Sequence, residues 1–115
     1  MSPDVRFRLE DMRDHAQKAL RTLEALDVKD GRSVETPTFA LLHLVQIVGE
    51  AASRVSAEVR RELPELPWAD AIAMRNIIVH GYRQVRLDIV VDTVRNDFPP
   101  LITALDRLLA EGTSE

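Results

Sequence analysis

The segment from Arg75 to Leu87 carries positive charge without any acidic residue, although the whole chain has a net charge of −4. Arg75, Arg83 and Arg86 lie in it together with His80. Local positive charge on an acidic body fits a site that handles a few phosphates, and it does not fit a long electrostatic track along a duplex. We therefore take this segment as the candidate functional site.

The spacing of Arg75, Asn76 and His80 decides how they can act together. Arg75 and His80 are five residues apart, which separates them by about 140° around an ideal helix. They can share a site only where the helix ends, and Gly81 is well placed for a left-handed cap after His80. Asn76 and His80 are four residues apart and lie on one face. Polar groups on an otherwise apolar helix need hydrogen-bond partners when they are buried.

A purely structural interpretation of these residues stays open. Arg75 could pair with Glu50 of the preceding helix, and His80 could simply end its own helix, where the dipole favours a cation. One arginine and one histidine at a fixed gap do not distinguish catalysis from structure. The other histidines, His15 and His43, each stand without a second metal ligand at useful spacing, so we interpret both as structural.

Apolar residues recur at three- and four-residue steps through most of the chain, which predicts an all-α fold. Phe98-Pro99-Pro100 is expected to interrupt the last helical stretch, with Asp97 as a cap. The result is an up-and-down bundle of four to five helices at about residues 3–27, 37–62, 67–80, 87–94 and 101–109.

The third predicted helix is apolar nearly all the way round, with Trp68, Ile72, Ile77 and Val79 on different sides. Such a helix is buried on most sides, either in the core or in a dimer interface. Trp68 is most simply an anchor of one or the other.

Composition restricts the class of protein. The length of 115 residues suits one domain over residues 1–115, and 45% hydrophobic residues are too many for a disordered chain. The absence of cysteine excludes disulfides and thiolate metal sites. Charges in Met1–Glu10 rule out a signal peptide there, and no uncharged apolar run is long enough to span a bilayer. We expect a soluble cytoplasmic protein with a frayed tail over Gly112–Glu115.

The stretch Arg75-Asn76-Ile77-Ile78-Val79-His80 resembles the HEPN motif, an arginine and a histidine separated by four residues with a polar residue after the arginine. With Gly81-Tyr82 it looks like the HepT-like toxin form, in which a tyrosine follows two residues after the histidine. The similarity continues along nearly the whole chain, in Ile47–Ala52, Leu66–Trp68, Leu87–Val90 and Asn96–Leu101.

The resemblance implies a homodimeric nuclease of the HEPN fold that cuts RNA, either transfer RNA or messenger RNA, without a metal or cofactor. A ribose 2′-hydroxyl would attack the adjacent phosphodiester. His80 would act as general base or acid, because imidazole titrates nearest neutrality among side chains. Arg75 would bind the phosphate and stabilise its developing charge, and Asn76 would orient the histidine or a phosphate oxygen.

The resemblance also suggests roles for neighbouring residues. Glu50 either holds Arg75 as an ion pair or is an ordinary surface carboxylate. Arg83 and Arg86 either bind flanking RNA phosphates or are solvated charges. Tyr82 would receive AMP from a partner, a minimal nucleotidyltransferase of the MntA type. The added bulk and negative charge would exclude RNA, as in a type VII toxin–antitoxin pair.

Two other functions remain open at this point. The chain could be a non-catalytic HEPN module that binds a nucleotide for a minimal nucleotidyltransferase, with Arg75 and His80 contacting a phosphate without turnover. It could also be a purely structural dimerisation bundle, in which variants of these residues would change stability and no activity.

Overall fold

The computed structural model describes residues 1–28, 35–81 and 85–112 of the chain. Over these ranges the chain is helical and contains no strand, so the predicted all-α fold is confirmed. The expected fraying falls largely on residues 113–115, which lie outside the described part. The helices are α1 (Pro3–Val28), α2 (Glu35–Ser53), α3 (Ala57–Glu62), α4 (Trp68–Gly81) and α5 (Leu87–Gly112).

The core lies where α1 packs against both α2 and α5, which contact each other only slightly. Helix α1 begins where the Ser2 hydroxyl accepts a hydrogen bond from the Val5 amide at 3.2 Å, an N-cap that satisfies one free donor. Its apolar stripe is buried, because side chains three and four residues apart lie on one face. The largest fully buried side chains are Leu9, Met12, Leu41, Val48, Val55, Val90, Val94 and Leu105.

The second predicted helix, residues 37–62, is wrong in its extent because α2 ends at Ser53. The Arg54 and Val55 amides turn back to the carbonyls of Ala51 and Ala52, at 3.2 Å each, which tightens the last turn. Val55 is buried by this turn. Ser56 then caps α3 by accepting a hydrogen bond from the amide of Val59 at 3.2 Å. A local cap therefore ends the longer periodic pattern.

The predicted break at Phe98-Pro99-Pro100 is also wrong, because α5 runs through both prolines and Asp97 lies inside the helix instead of capping it. A proline within a helix costs about 3 kcal/mol. The apolar stripe of α5 keeps helical spacing across them, and burial of each large apolar side chain returns about 1.5–3 kcal/mol. Several such side chains outweigh the cost: Val90, Val94, Phe98, Leu101 and Leu105 are all buried.

Helix α4 is attached mainly to α2. Trp68 anchors its start, since the indole Nε1 donates to the carbonyl of Leu63 at 2.9 Å and the ring is buried. Along α4 only Trp68 and Ile78 are buried, while Ile77 is 52% exposed and Val79 41% exposed. Trp68 and Ile78 therefore join the core, but within the described chain the core does not bury α4 on most of its sides.

None of the described helices combines the length and the apolar composition that crossing a bilayer requires.

Candidate active site

The close approach of α2 and α4 sets the position of Arg75. A Cβ added to Gly49 of α2 would overlap the Arg75 Cβ and would lie 2.6 Å from the carbonyl oxygen of Ala71, both on α4. The missing side chain thus lets the two helix backbones meet at this point. Glycine inside a helix costs about 1 kcal/mol relative to alanine, so its presence here indicates a packing requirement. We did not single out Gly49 from the sequence, although this penalty was a signal.

The Arg75 guanidinium is held on two sides. Its Nε donates to Glu50 Oε1 at 2.8 Å, and its Nη1 donates to Asn76 Oδ1 at 2.8 Å. The Arg75 and Glu50 side chains are 27% and 30% exposed, so the ion pair is half-buried. Within the described residues Nη2 has no hydrogen-bond partner. One edge of the guanidinium is therefore fixed by protein, and the other is available to a phosphate oxygen.

Glu50 and Asn76 are both brought to Arg75 by this arrangement. The ion pair that the sequence offered as one interpretation of Glu50 is present. Asn76 contacts Arg75, whereas its predicted partners were the histidine or a phosphate oxygen. The two residues surround the arginine as supports, and their part in catalysis stays a prediction.

His80 lies exposed on the last turn of α4, directly before the final helical residue, Gly81. Its ring makes no hydrogen bond or ion pair within the described part of the chain. Because α4 stays helical through His80, the side chains of Arg75 and His80 leave the helix about 140° apart. A single chain thus presents them on different sides of α4, and neither is buried in the interior.

The remaining predicted residues have different surroundings. Arg86 pairs with Asp88 at 2.8 Å, and both side chains are mostly exposed. The hydrogen bond from Arg86 holds the pKa of the Asp88 carboxyl below its usual value. Tyr82 and Arg83 lie outside the described residues. Arg86 as an RNA contact stays a prediction, with one side of its guanidinium already paired.

The His15 Nδ1 lies 2.8 Å from the carbonyl oxygen of Asp11, within its own helix. Among the residues that the structure describes, no three histidine, aspartate or glutamate side chains are grouped closely enough to hold a metal ion.

Two grooves border α4. The first, which we call the α4–α5 groove, has a volume of about 280 Å³ and separates these two helices. Its lining is mainly apolar and includes Ala73, Met74, Ile77, Phe98 and Leu101. The second, which we call the α2–α4 groove, has a volume of about 310 Å³ and lies between the first half of α2 and the end of α4.

Comparison with known proteins identifies the family. The profile of the family described as ribonuclease HepT-like matches residues 12–108, most of the chain. The chain belongs to this family. The resemblance noted in the sequence is thereby confirmed, and so is the predicted enzyme class, an RNA endonuclease.

Several relatives of the chain are archaeal proteins. MJ1380 of Methanocaldococcus jannaschii, named as a candidate RNase, is 24% identical over 85% of this chain and 90% of its own length. A protein of Thermococcus cleftensis, named as a candidate ribonuclease HepT, is 31% identical over 61% of this chain and 64% of its own length. MJ0125 of M. jannaschii, also named as a candidate RNase, is 18% identical over 94% and 93%. No solved structure matches the chain.

Proposed function

We propose that this chain is a cytoplasmic toxin that cuts RNA without a metal ion, with Arg75 and His80 of two protomers meeting at one phosphate. The observation that supports this most is the Arg75 guanidinium, which Glu50 and Asn76 fix while Nη2 has no hydrogen-bond partner among the described residues. A guanidinium held in this way can donate hydrogen bonds to a phosphate oxygen without first losing side-chain freedom.

The reaction follows from the chemistry of the two side chains. The ribose 2′-oxygen attacks the adjacent phosphorus, the bond to the 5′-oxygen breaks, and a 2′,3′-cyclic phosphate and a 5′-hydroxyl result. His80 takes the proton of the 2′-hydroxyl or gives a proton to the leaving 5′-oxygen. Arg75 stabilises the charge that develops on the phosphate oxygens. No step in this scheme needs a metal ion.

A second copy of the chain would complete the site. Arg75 and His80 diverge on α4 of one chain, and the face between Ala73, Ile77 and His80 is exposed and largely apolar. Burying Ile77 and the α4–α5 groove against a two-fold partner would cover this face. It would also bring the guanidinium and imidazole groups of both chains to one cleft, which supports a homodimer.

The antitoxin of this proposal is a minimal nucleotidyltransferase that modifies Tyr82. The tyrosine oxygen would attack the α-phosphorus of ATP, pyrophosphate would leave, and the phenolic proton would pass to a base. The attached AMP would place negative charge two residues from His80, where an RNA phosphate must bind. RNA would then be excluded by repulsion and by bulk, as in a type VII toxin–antitoxin pair.

To test the proposed function, the purified protein is incubated with total RNA, with and without the partner nucleotidyltransferase and ATP. We expect wild type to cut RNA, and His80→Ala and Arg75→Ala each to lose about 100-fold or more in rate. Expression of His80→Ala should no longer inhibit growth. Partner and ATP should suppress cleavage by wild type, and Tyr82→Phe should escape that suppression.

Two matched variants control for effects of substitution on the fold. His15→Ala removes a histidine that bonds within α1, and Arg61→Ala removes an exposed arginine of α3. Both should cut RNA at the wild-type rate, with all variants checked for folding by circular dichroism. Unchanged cleavage by His80→Ala would refute the nuclease mechanism. ATP binding without cleavage of any RNA pool would instead favour the non-catalytic nucleotide-binding module.

A further inference from the structure

The α2–α4 groove differs from the α4–α5 groove in its chemistry. Its described lining combines an exposed aromatic ring with an imidazole and a carboxamide, and none of the described lining residues carries a carboxylate, guanidinium or ammonium group. Phe39 is 50% exposed, although a large apolar side chain gains free energy by burial. The lining residues are Phe39, Leu42, His43, Gln46, Ile78 and Val79.

This groove is continuous with the Arg75 site. Phe39, His43, Gln46 and Glu50 follow one another at steps of four, three and four residues, so they form one stripe along α2. Glu50, at the end of the stripe, holds Arg75. Gln46 is one helical turn from Glu50, about 5–6 Å, and Phe39 is about 16 Å from it along the axis.

We propose that the α2–α4 groove binds an unpaired nucleobase of the RNA whose phosphate lies on Arg75. The inference rests on the proposed function, and it adds a specificity for single-stranded substrate. Phe39 stacks on the face of the base, and His43 and Gln46 hydrogen-bond to its edge. Aromatic stacking with edge contacts is the usual way in which proteins recognise unpaired RNA bases, and a base inside a duplex cannot enter such a groove.

The neutral lining supports a base in preference to a second phosphate. A phosphate site needs a cation or several backbone amides, and the lining residues that the structure describes include neither a lysine nor an arginine. A base needs a flat apolar contact together with a few donors and acceptors, and Phe39, His43 and Gln46 supply these.

The test measures binding of unpaired 2′-O-methyl oligoribonucleotides of mixed sequence, which lack the attacking hydroxyl and stay intact. We expect Phe39→Ala to weaken binding about tenfold, since loss of one stacked base corresponds to roughly 5- to 100-fold in affinity. Phe39→Trp should keep wild-type affinity. The matched control is Phe7→Ala, which removes another exposed ring, on α1.

Oligoribonucleotides that each lack the base at one position test whether the groove binds a base. One abasic position should weaken wild-type binding about tenfold and should not weaken Phe39→Ala further, because the stacked base is already lost. A duplex of the same sequence should bind wild type and Phe39→Ala equally.

The outcomes separate this inference from the proposed function. Equal affinity of Phe39→Ala and wild type for unpaired RNA would overturn the base site. So would a loss of the dimer in Phe39→Ala by sedimentation, because the groove would then be a contact between protein chains. Absence of cleavage by wild type, with Phe39-dependent binding intact, would refute the nuclease and support the groove.

Discussion

The Arg75 guanidinium uses two of its three nitrogens in hydrogen bonds within the protein. Nε and Nη1 are used by Glu50 and Asn76, and within the described residues Nη2 is unused. An arginine side chain loses much rotational freedom when it is fixed, and here the protein fixes it before any ligand arrives. A pre-positioned guanidinium therefore gives more of its binding energy to the transition state.

Glu50 is the residue through which this arrangement can be tested. We expect Glu50→Ala to lower the cleavage rate about 10- to 100-fold, because Arg75 loses the partner that fixes Nε. The free energy of unfolding should fall by less than about 1 kcal/mol, since the pair is half-exposed. Glu50→Gln, which can still accept a hydrogen bond, should recover part of the rate.

The control for Glu50 is Glu65, which lies 3.6 Å from Arg107 in a more exposed ion pair. Glu65→Ala should leave RNA cleavage unchanged. Cleavage rates and chemical unfolding curves of the variants provide the comparison. A wild-type rate for Glu50→Ala would show that Arg75 needs no support from this carboxylate.

At the scale of the elements, the packing of α2 against α4 sets the position of the candidate active site. Gly49 lies beneath Arg75, and the two backbones approach there more closely than any other residue would permit. The same pair of helices forms the α2–α4 groove further along. The separation of α2 and α4 therefore controls both the guanidinium and the proposed base site.

Gly49→Ala tests this contact. Alanine favours the helix by about 1 kcal/mol, but its Cβ would overlap Arg75 Cβ and the Ala71 carbonyl, which are not flexible groups. Overpacking of this kind costs about 1–3 kcal/mol, so we expect a net loss of stability in thermal unfolding. The cleavage rate should fall as Arg75 is displaced. A more stable, fully active Gly49→Ala protein would contradict the close contact.

At the scale of the whole molecule, α4 has fewer buried side chains than the other three long helices, α1, α2 and α5. It packs mainly on α2, and its outer face carries Ile77 and His80 in the open. Exposed large apolar side chains beside a site are typical of an interface. The divergence of Arg75 and His80 on this helix gives the same indication, because one chain alone does not bring them to one face.

Ile77→Asp tests the proposed dimer. A carboxylate at the centre of an apolar interface would be desolvated without a partner, so we expect the protein to become monomeric in sedimentation experiments. Because Ile77 is 52% exposed, the fold of the monomer should survive. RNA cleavage should be lost with the dimer. Phe7→Asp, at an exposed position of α1, should change neither property, and a monomeric Ile77→Asp that cuts RNA normally would refute the composite site.

The sequence determined the all-α class, the positions of α1 and α4 to within about one or two residues, and the motif with Arg75 and His80. These features depend on local patterns, since helical periodicity, caps and motif spacing are properties of neighbours in the chain. The pairing of Arg75 with Glu50 could be offered from the sequence only as one interpretation. Its geometry needed two helices to be placed together.

Where local sequence signals conflicted with packing, the tertiary structure decided the outcome. The prolines at 99 and 100 predicted a break, but α5 continues because a buried stripe runs through them. The long periodic stretch after Thr36 predicted one helix, but it ends at Ser53 where Val55 turns into the core and Ser56 caps α3. The role of Gly49 also emerged only from the packing of α2 on α4. Burial and close backbone contact depend on residues far apart in the chain, so a local pattern does not contain them.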